Sequence, residues 1–209
     1  MTRLATRRGV VIALAIAPGC GAAAASAQDS GPATAIRALD DALLKIMHMG
    51  KSAPFDERAR TLTPAVEGAF DLRQILQTSV GLGWSRFSPQ QQAELLDVFT
   101  RYTVASYVAN FDSFNGEKFE ILPELRRVGA DQVVQTRIVP AAGDANRIDY
   151  VMRSTAAGWK AVDVLLDGSI SRVAVQRSDF RSLLAGGDPG RLLASLRSKT
   201  AALESGARP

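Results

Sequence analysis

The sequence predicts an α+β fold in which N-terminal helices pack on a four-stranded antiparallel sheet. Three observations carry that expectation. Apolar residues recur at helical spacing through the first half of the chain, and after Asn115-Gly116 the period changes to short extended segments. Those segments are separated by Gly129, Gly143 and Gly158, and links this short join neighbouring antiparallel strands. A chain of 209 residues can bury one substantial core without a second.

Residues 1–27 read as a secretory leader and residues 28–209 as a single domain. Arg3, Arg7 and Arg8 precede an apolar run from Val10 to Ala17, and Ala25-Ser26-Ala27 forms a small-residue cleavage site before Gln28. The run is far shorter than the ~20 residues a membrane span needs. Thr6-Arg7-Arg8 and Ala17-Pro18-Gly19-Cys20 match twin-arginine and lipoprotein signals only poorly. Losing the leader takes the formal net charge from +4 to about +1, and the main argument for nucleic-acid binding goes with it. It also removes Cys20, the only cysteine, so an exported chain would rely on packing and not on a disulfide. No later stretch is long and apolar enough to cross a bilayer, which predicts a soluble product; a monomer is expected.

From Pro32, Ile36, Leu39, Leu43, Ile46 and Met47 mark an amphipathic helix. Phe55–Leu62 and Pro64–Phe70 read as two further helices, with Pro64 at a break or a first turn, and Asp71 as the N-cap of a fourth over Leu72–Val80. Ser88-Pro89-Gln90-Gln91 carries a capping box with proline at the first helical position, so a long helix runs from Pro89 to about Phe111. Its stripe of Leu95, Val98, Phe99, Tyr102, Ser106 and Ala109 is unusually aromatic.

Strands are expected at Lys118–Leu122, Gln132–Val139, Arg147–Thr155 and Trp159–Leu166. Pairing Val134, Thr136 and Ile138 with Met152, Tyr150 and Ile148, and these with Val162 and Val164, makes one continuous apolar face, which a one-residue slip would mix. The other face would then hold Arg137 beside Asp149, with Asp163 next across, and Arg153 near Trp159 as an ion-pair row and a cation–π contact. Beyond the strands, Arg172, Arg177, Arg181, Arg191, Arg197 and Lys199 outnumber Asp179 and Asp188. They lie in terminal helices interrupted at Gly186-Gly187, and read as a solvated basic face or, alternatively, as a surface suited to anionic headgroups or an acidic partner.

Catalytic chemistry finds little support. His48 is the only histidine, and no metal site, thiol nucleophile, G-x-S-x-G elbow, phosphate loop or dinucleotide fingerprint is present. The carboxylate pairs Asp40 with Asp41 and Asp149 with Asp163 are poorly placed for general acid–base work, the first diverging on a helix and the second neutralised by Arg137. No cofactor is expected.

The stretch Trp159–Leu184 orders the rest: an apolar strand ends at Asp167-Gly168 and gives way to a basic segment. Trp159, Asp163, Gly168, Ser171, Arg177, Ser178 and Phe180, with Phe70, Asp71, Leu82, Gly83 and Trp84, resemble the MlaC toluene-tolerance family of periplasmic phospholipid-binding proteins. The wording LLDGSISRVAVQRSDFRSLLAGG is similar to its hopanoid-associated HpnM branch. The resemblance covers roughly Ile36 to Leu196. It implies a cone-shaped, NTF2-like arrangement with an apolar cavity, in which a periplasmic carrier shields a phospholipid or hopanoid between inner and outer membrane, exchanging it with membrane-bound transporter components. On that reading Trp84, Val98, Phe99, Tyr102, Ile138, Tyr150, Met152, Val162 and Val164 would line the lipid site, and Arg172, Arg177 and Arg181 would meet a headgroup or partner. An NTF2-like isomerase or dehydratase would need a titrating carboxylate in the pocket, and a ligand-free periplasmic adaptor would have no sizeable pocket.

Overall fold

The computed structural model describes residues 31–206, so the expected leader over residues 1–27 lies outside the described residues. Helix α1 (Pro32–Met49) buries Ile36, Leu39, Leu43 and Ile46 completely or nearly so. There follow α2 (Phe55–Ala69), α3 (Leu72–Val80), a 3₁₀ turn (Gly81–Arg86) and α4 (Pro89–Asn110). The two helices expected on either side of Pro64 are one. Pro64 and Arg60 both stand on the exposed side of α2, so the carbonyl that the proline cannot pair is left to water. Asp71 caps α3 by accepting from the Gln74 N–H at 2.9 Å, and Ser88 with Gln91 closes the complete capping box on α4.

The sheet has five strands in the order β1 (Lys118–Val128), β2 (Asp131–Val139), β3 (Asn146–Thr155), β4 (Gly158–Leu166) and β5 (Ile170–Ser171), each antiparallel to its neighbour. The fifth, two residues long, forms because the Asp167-Gly168 turn folds Ile170 back onto Leu166. β1 continues through Pro123 past the expected end at Leu122. It is an edge strand, where a missing N–H costs no ladder bond, and a register shift between Ile121 and Leu125 absorbs the irregularity.

The expected register needs two corrections. β2 and β3 are displaced by two residues, with Val134 opposite Tyr150 and Thr136 opposite Ile148, which preserves the inward face because the strand period is two. Between β3 and β4 a bulge intervenes: Val151 faces Asp163 and Met152 faces Ala161, leaving Val162 unopposed. Without it Lys160 and Val162 would share the inner face with Val164; with it, Trp159 and Ala161 do. Trp159 and Ala161 accordingly pack on the core, while the Lys160 ammonium donates to the carbonyls of Glu67 and Gly68, at 2.9 and 2.6 Å, at the C-terminal end of α2.

The outer charged row also differs from expectation. Arg137 pairs with Glu120, Arg147 with Asp149, and Arg153 with Asp131 through two hydrogen bonds of 2.8 and 2.7 Å, in place of an approach to Trp159. Helix α5 (Arg172–Leu183) lies along α3 and β4, and α6 (Gly190–Glu204) along α4. The core is continuous from α1 and α2 through α4 and α6 to Val134, Tyr150 and Met152 of the sheet. No helix among the described residues is long and apolar enough to cross a membrane.

Candidate functional site

Helix α4 buries more than one face. Leu95, Val98, Val104, Ala105 and Val108 turn into the helical core, whereas Phe99, Tyr102, Thr103, Ser106, Tyr107 and Asn110 turn toward the sheet and α5. Between that second face and β3–β4 lies a half-open cavity of about 340 Å³. Phe70, Leu72 and Ile75 close one side, Ile148, Tyr150, Val164 and Leu166 the sheet side, and Val173 and Gln176 the α5 side. Its floor is a run of rings: Phe70 stands 5.8 Å from Tyr107 and 6.1 Å from Tyr150 between centroids, and Tyr107 stacks on Phe111 at 6.0 Å. Such a wall accepts hydrocarbon at many angles, because tilted and offset rings present apolar faces with only the Tyr107 and Tyr150 hydroxyls as polar edges.

Of the nine residues expected to line a lipid site, the cavity brings together Phe99, Tyr102, Tyr150 and Val164. Val98 and Met152 are buried in the core instead, and Trp84 is half-buried in the 3₁₀ turn against Phe87. Ile138 pairs with Asn146 at the far end of β2, beyond the cavity. Val162 does not line it because the bulge withdraws it. Of the three arginines, Arg172 lies on the cavity wall; Arg177 and Arg181 are exposed further along α5. Sequence reasoning missed Phe70, Tyr107 and Phe111. Tyr107 and Phe111 stand at i+4 spacing beyond Thr103, so continuing the stripe through Tyr107 in place of Ala109 would have found them.

Asp163 holds this wall together. Its carboxylate accepts from the backbone N–H of Val164 at 2.7 Å and of Val173 at 3.1 Å, and from the Ser171 hydroxyl. Ser171 also caps α5, its Oγ accepting from the Ala174 N–H at 2.9 Å. Residues 163 and 171 thereby weld the end of β4 to the start of α5 and fix Arg172 at the first turn. Gly168 has φ 71° and lies against Arg147: a Cβ there would stand 2.8 Å from the guanidinium.

Burial dominates the electrostatics behind the floor. Asp40 is only 6 % exposed, and its carboxyl is pushed up to about 7 by desolvation and then by Asp41. Desolvation also raises the phenols of Tyr107 and Tyr150, with the Asp40 charge adding to both. Asp149 is fully buried and held by Arg147 at 2.8 Å, and Asp163 has its three donors, so neither carries an unoccupied carboxylate toward the cavity. His48 lies on α1 with its Nδ1 2.7 Å from the Leu44 carbonyl and its ring stacked on Phe114.

A cavity walled by rings and aliphatic chains, with the Asp163 carboxylate engaged in joining strand to helix, offers room for an apolar ligand. Residues 37–198 match the profile described as MlaC protein, and the chain belongs to the MlaC family. Among solved structures it is similar to a phospholipid-binding protein from Ralstonia solanacearum in complex with a phospholipid, with 21 % identity and a TM-score of 0.71, over 82 % of this chain and 97 % of that one. No curated protein matches the sequence.

Proposed function

We propose that the protein is a periplasmic lipid carrier that takes up the acyl part of a phospholipid in the cavity between α4, α5 and β3–β4, and moves it between inner and outer membrane. The observation that supports this most is the cavity itself, about 340 Å³ of space beneath an aromatic floor in a chain of the MlaC family. The volume lies in the range of ligand pockets, and each buried methylene contributes about 0.8 kcal/mol, so ten of them contribute roughly 8 kcal/mol before the costs of association. Arg172, at the first turn of α5, stands where a phosphate would meet both a guanidinium and the positive end of a helix. Residues 28–209 act as one unit on this reading, after removal of the leader, and deliver to membrane-bound transporter components.

Mass spectrometry of lipid extracted from the purified protein tests the proposal. A stoichiometric phospholipid is expected. A co-purified polycyclic hopanoid would move the protein to the HpnM branch that its C-terminal wording resembles, and an empty protein that takes up no lipid would refute the carrier reading.

A further inference from the structure

We propose that the 3₁₀ turn and the adjoining face of α5 form a contact tip for an anionic lipid surface, with Leu82 as the inserted apolar group and Arg86, Arg177 and Arg181 around it. The inference rests on the carrier reading and adds the site at which the carrier meets its membrane. Leu82 is 89 % exposed, far beyond any other large apolar side chain among the described residues. It is not a loose end. Trp84 packs inward, Phe87 is buried, and the Gln92 side-chain amide donates to the carbonyls of both at 3.1 Å, so the turn is fastened just after the leucine that it presents.

The charge around this leucine is of one sign. At Gly81, with φ 72°, a Cβ would stand 3.4 Å from the Arg177 guanidinium, which places that cation against the turn. Arg181 follows one helical turn later on the same face, while Asp179 points about 200° round the helix from Arg177. Arg86 ends the turn itself. Among the described residues, Arg86, Arg177 and Arg181 have no carboxylate within salt-bridge distance, as is true of several other arginines, so their charge is free to meet an anionic surface. An exposed leucine in a turn that carries Arg86 and has Arg177 against it suits a bilayer surface, where hydrocarbon lies just beneath phosphates, better than a protein interface, which needs a larger apolar centre. The tip also adjoins the cavity: Gln176, on the cavity wall, accepts from the Ser79 hydroxyl at 3.2 Å and directly precedes Arg177.

Co-sedimentation of the exported, processed protein with vesicles tests the proposal, comparing phosphatidylcholine alone with phosphatidylcholine containing phosphatidylglycerol. Wild type is expected to bind the anionic vesicles selectively, with binding lost as salt is raised. Leu82→Glu and the double variant Arg86→Glu/Arg177→Glu are each expected to weaken it tenfold or more. All three substituted positions are at the surface, so circular dichroism should show unchanged folding. Lipid content, measured on the same preparations, reports on the carrier reading separately: variants that keep their cargo and lose the vesicles support the tip. Equal binding to neutral and anionic vesicles, or wild-type binding by Leu82→Glu, overturns it in favour of a protein partner.

Discussion

Asp40→Asn isolates what a buried carboxyl costs this fold. Asp40 titrates near 3.8 when ordinarily solvated and is pushed up to about 7 in the folded protein, first by burial and then by Asp41. Between those values the unfolded chain ionises the group freely while the folded protein holds its proton. The stability associated with the neutral carboxyl is therefore complete below about pH 4, falls as pH rises, and is lost once the folded group also ionises above about pH 7. Each pH unit of the interval corresponds to about 1.4 kcal/mol, an upper figure near 4 kcal/mol, which relaxation around the charge brings to about 2–4 kcal/mol. Asparagine keeps the shape and cannot ionise. Urea unfolding followed by circular dichroism at pH 4, 5.5, 7 and 8 should show variant and wild type within about 1 kcal/mol at pH 4, and the variant about 2–4 kcal/mol more stable at pH 8. Parallel pH profiles, or a variant less stable than wild type at pH 8, would refute the reasoning, since every other titrating group is common to both proteins.

Other expectations follow from the same geometry. Val164→Trp fills the cavity from the sheet side and should abolish co-purified lipid with little change in the melting temperature of the delipidated protein. Val162→Trp, off the cavity and 9 % exposed, should overpack and cost about 1–3 kcal/mol, and equal melting temperatures for the two variants would contradict the assignment of the bulge. Ser171→Ala removes both the α5 cap and a donor to Asp163 and should lower unfolding free energy by about 1–3 kcal/mol, read from urea curves. Arg172→Glu should reduce the phospholipid recovered per protein without unfolding it; undiminished phosphate in the extract would remove Arg172 from the headgroup role.

The helices were legible because their signals are local. Ser88 and Gln91 announce α4 to the residue, and the 3.6-residue spacing of Ile36, Leu39, Leu43 and Ile46 describes the buried side of α1. Parity of the strands was legible for β2 and β3, since a two-residue displacement leaves Val134 and Tyr150 facing inward. The bulge was not, because Lys160, Val162 and Val164 alternate as cleanly as a regular strand would, and only the pull of Trp159 and Ala161 toward the helices decides between phases. Half of the cavity escaped for a related reason. A void is set by the distance between α4 and the sheet, and no residue encodes that distance singly. Phe70 reaches it from the α2–α3 junction, held there by the Asp71 N–H donating to the Ala161 carbonyl at 2.9 Å. The motif residues Asp163, Gly168 and Ser171 carried the family resemblance, and their observed contacts are those of a joint.

The unopposed residue in β4 has a consequence for cargo size. Trp159, Ala161 and Val164 all face the helices only because one position between them is not counted by the ladder. A chain lacking Val162 would run Trp159, Ala161, Val164 in unbroken alternation, every side chain keeping its face, and would give up only the local bend beside the cavity. Shortening the strand by one residue at that point is thus expected to leave a folded protein with a straighter wall. The mass distribution of its bound lipid would then report how far strand curvature, independently of side-chain volume, sets the length of chain that fits.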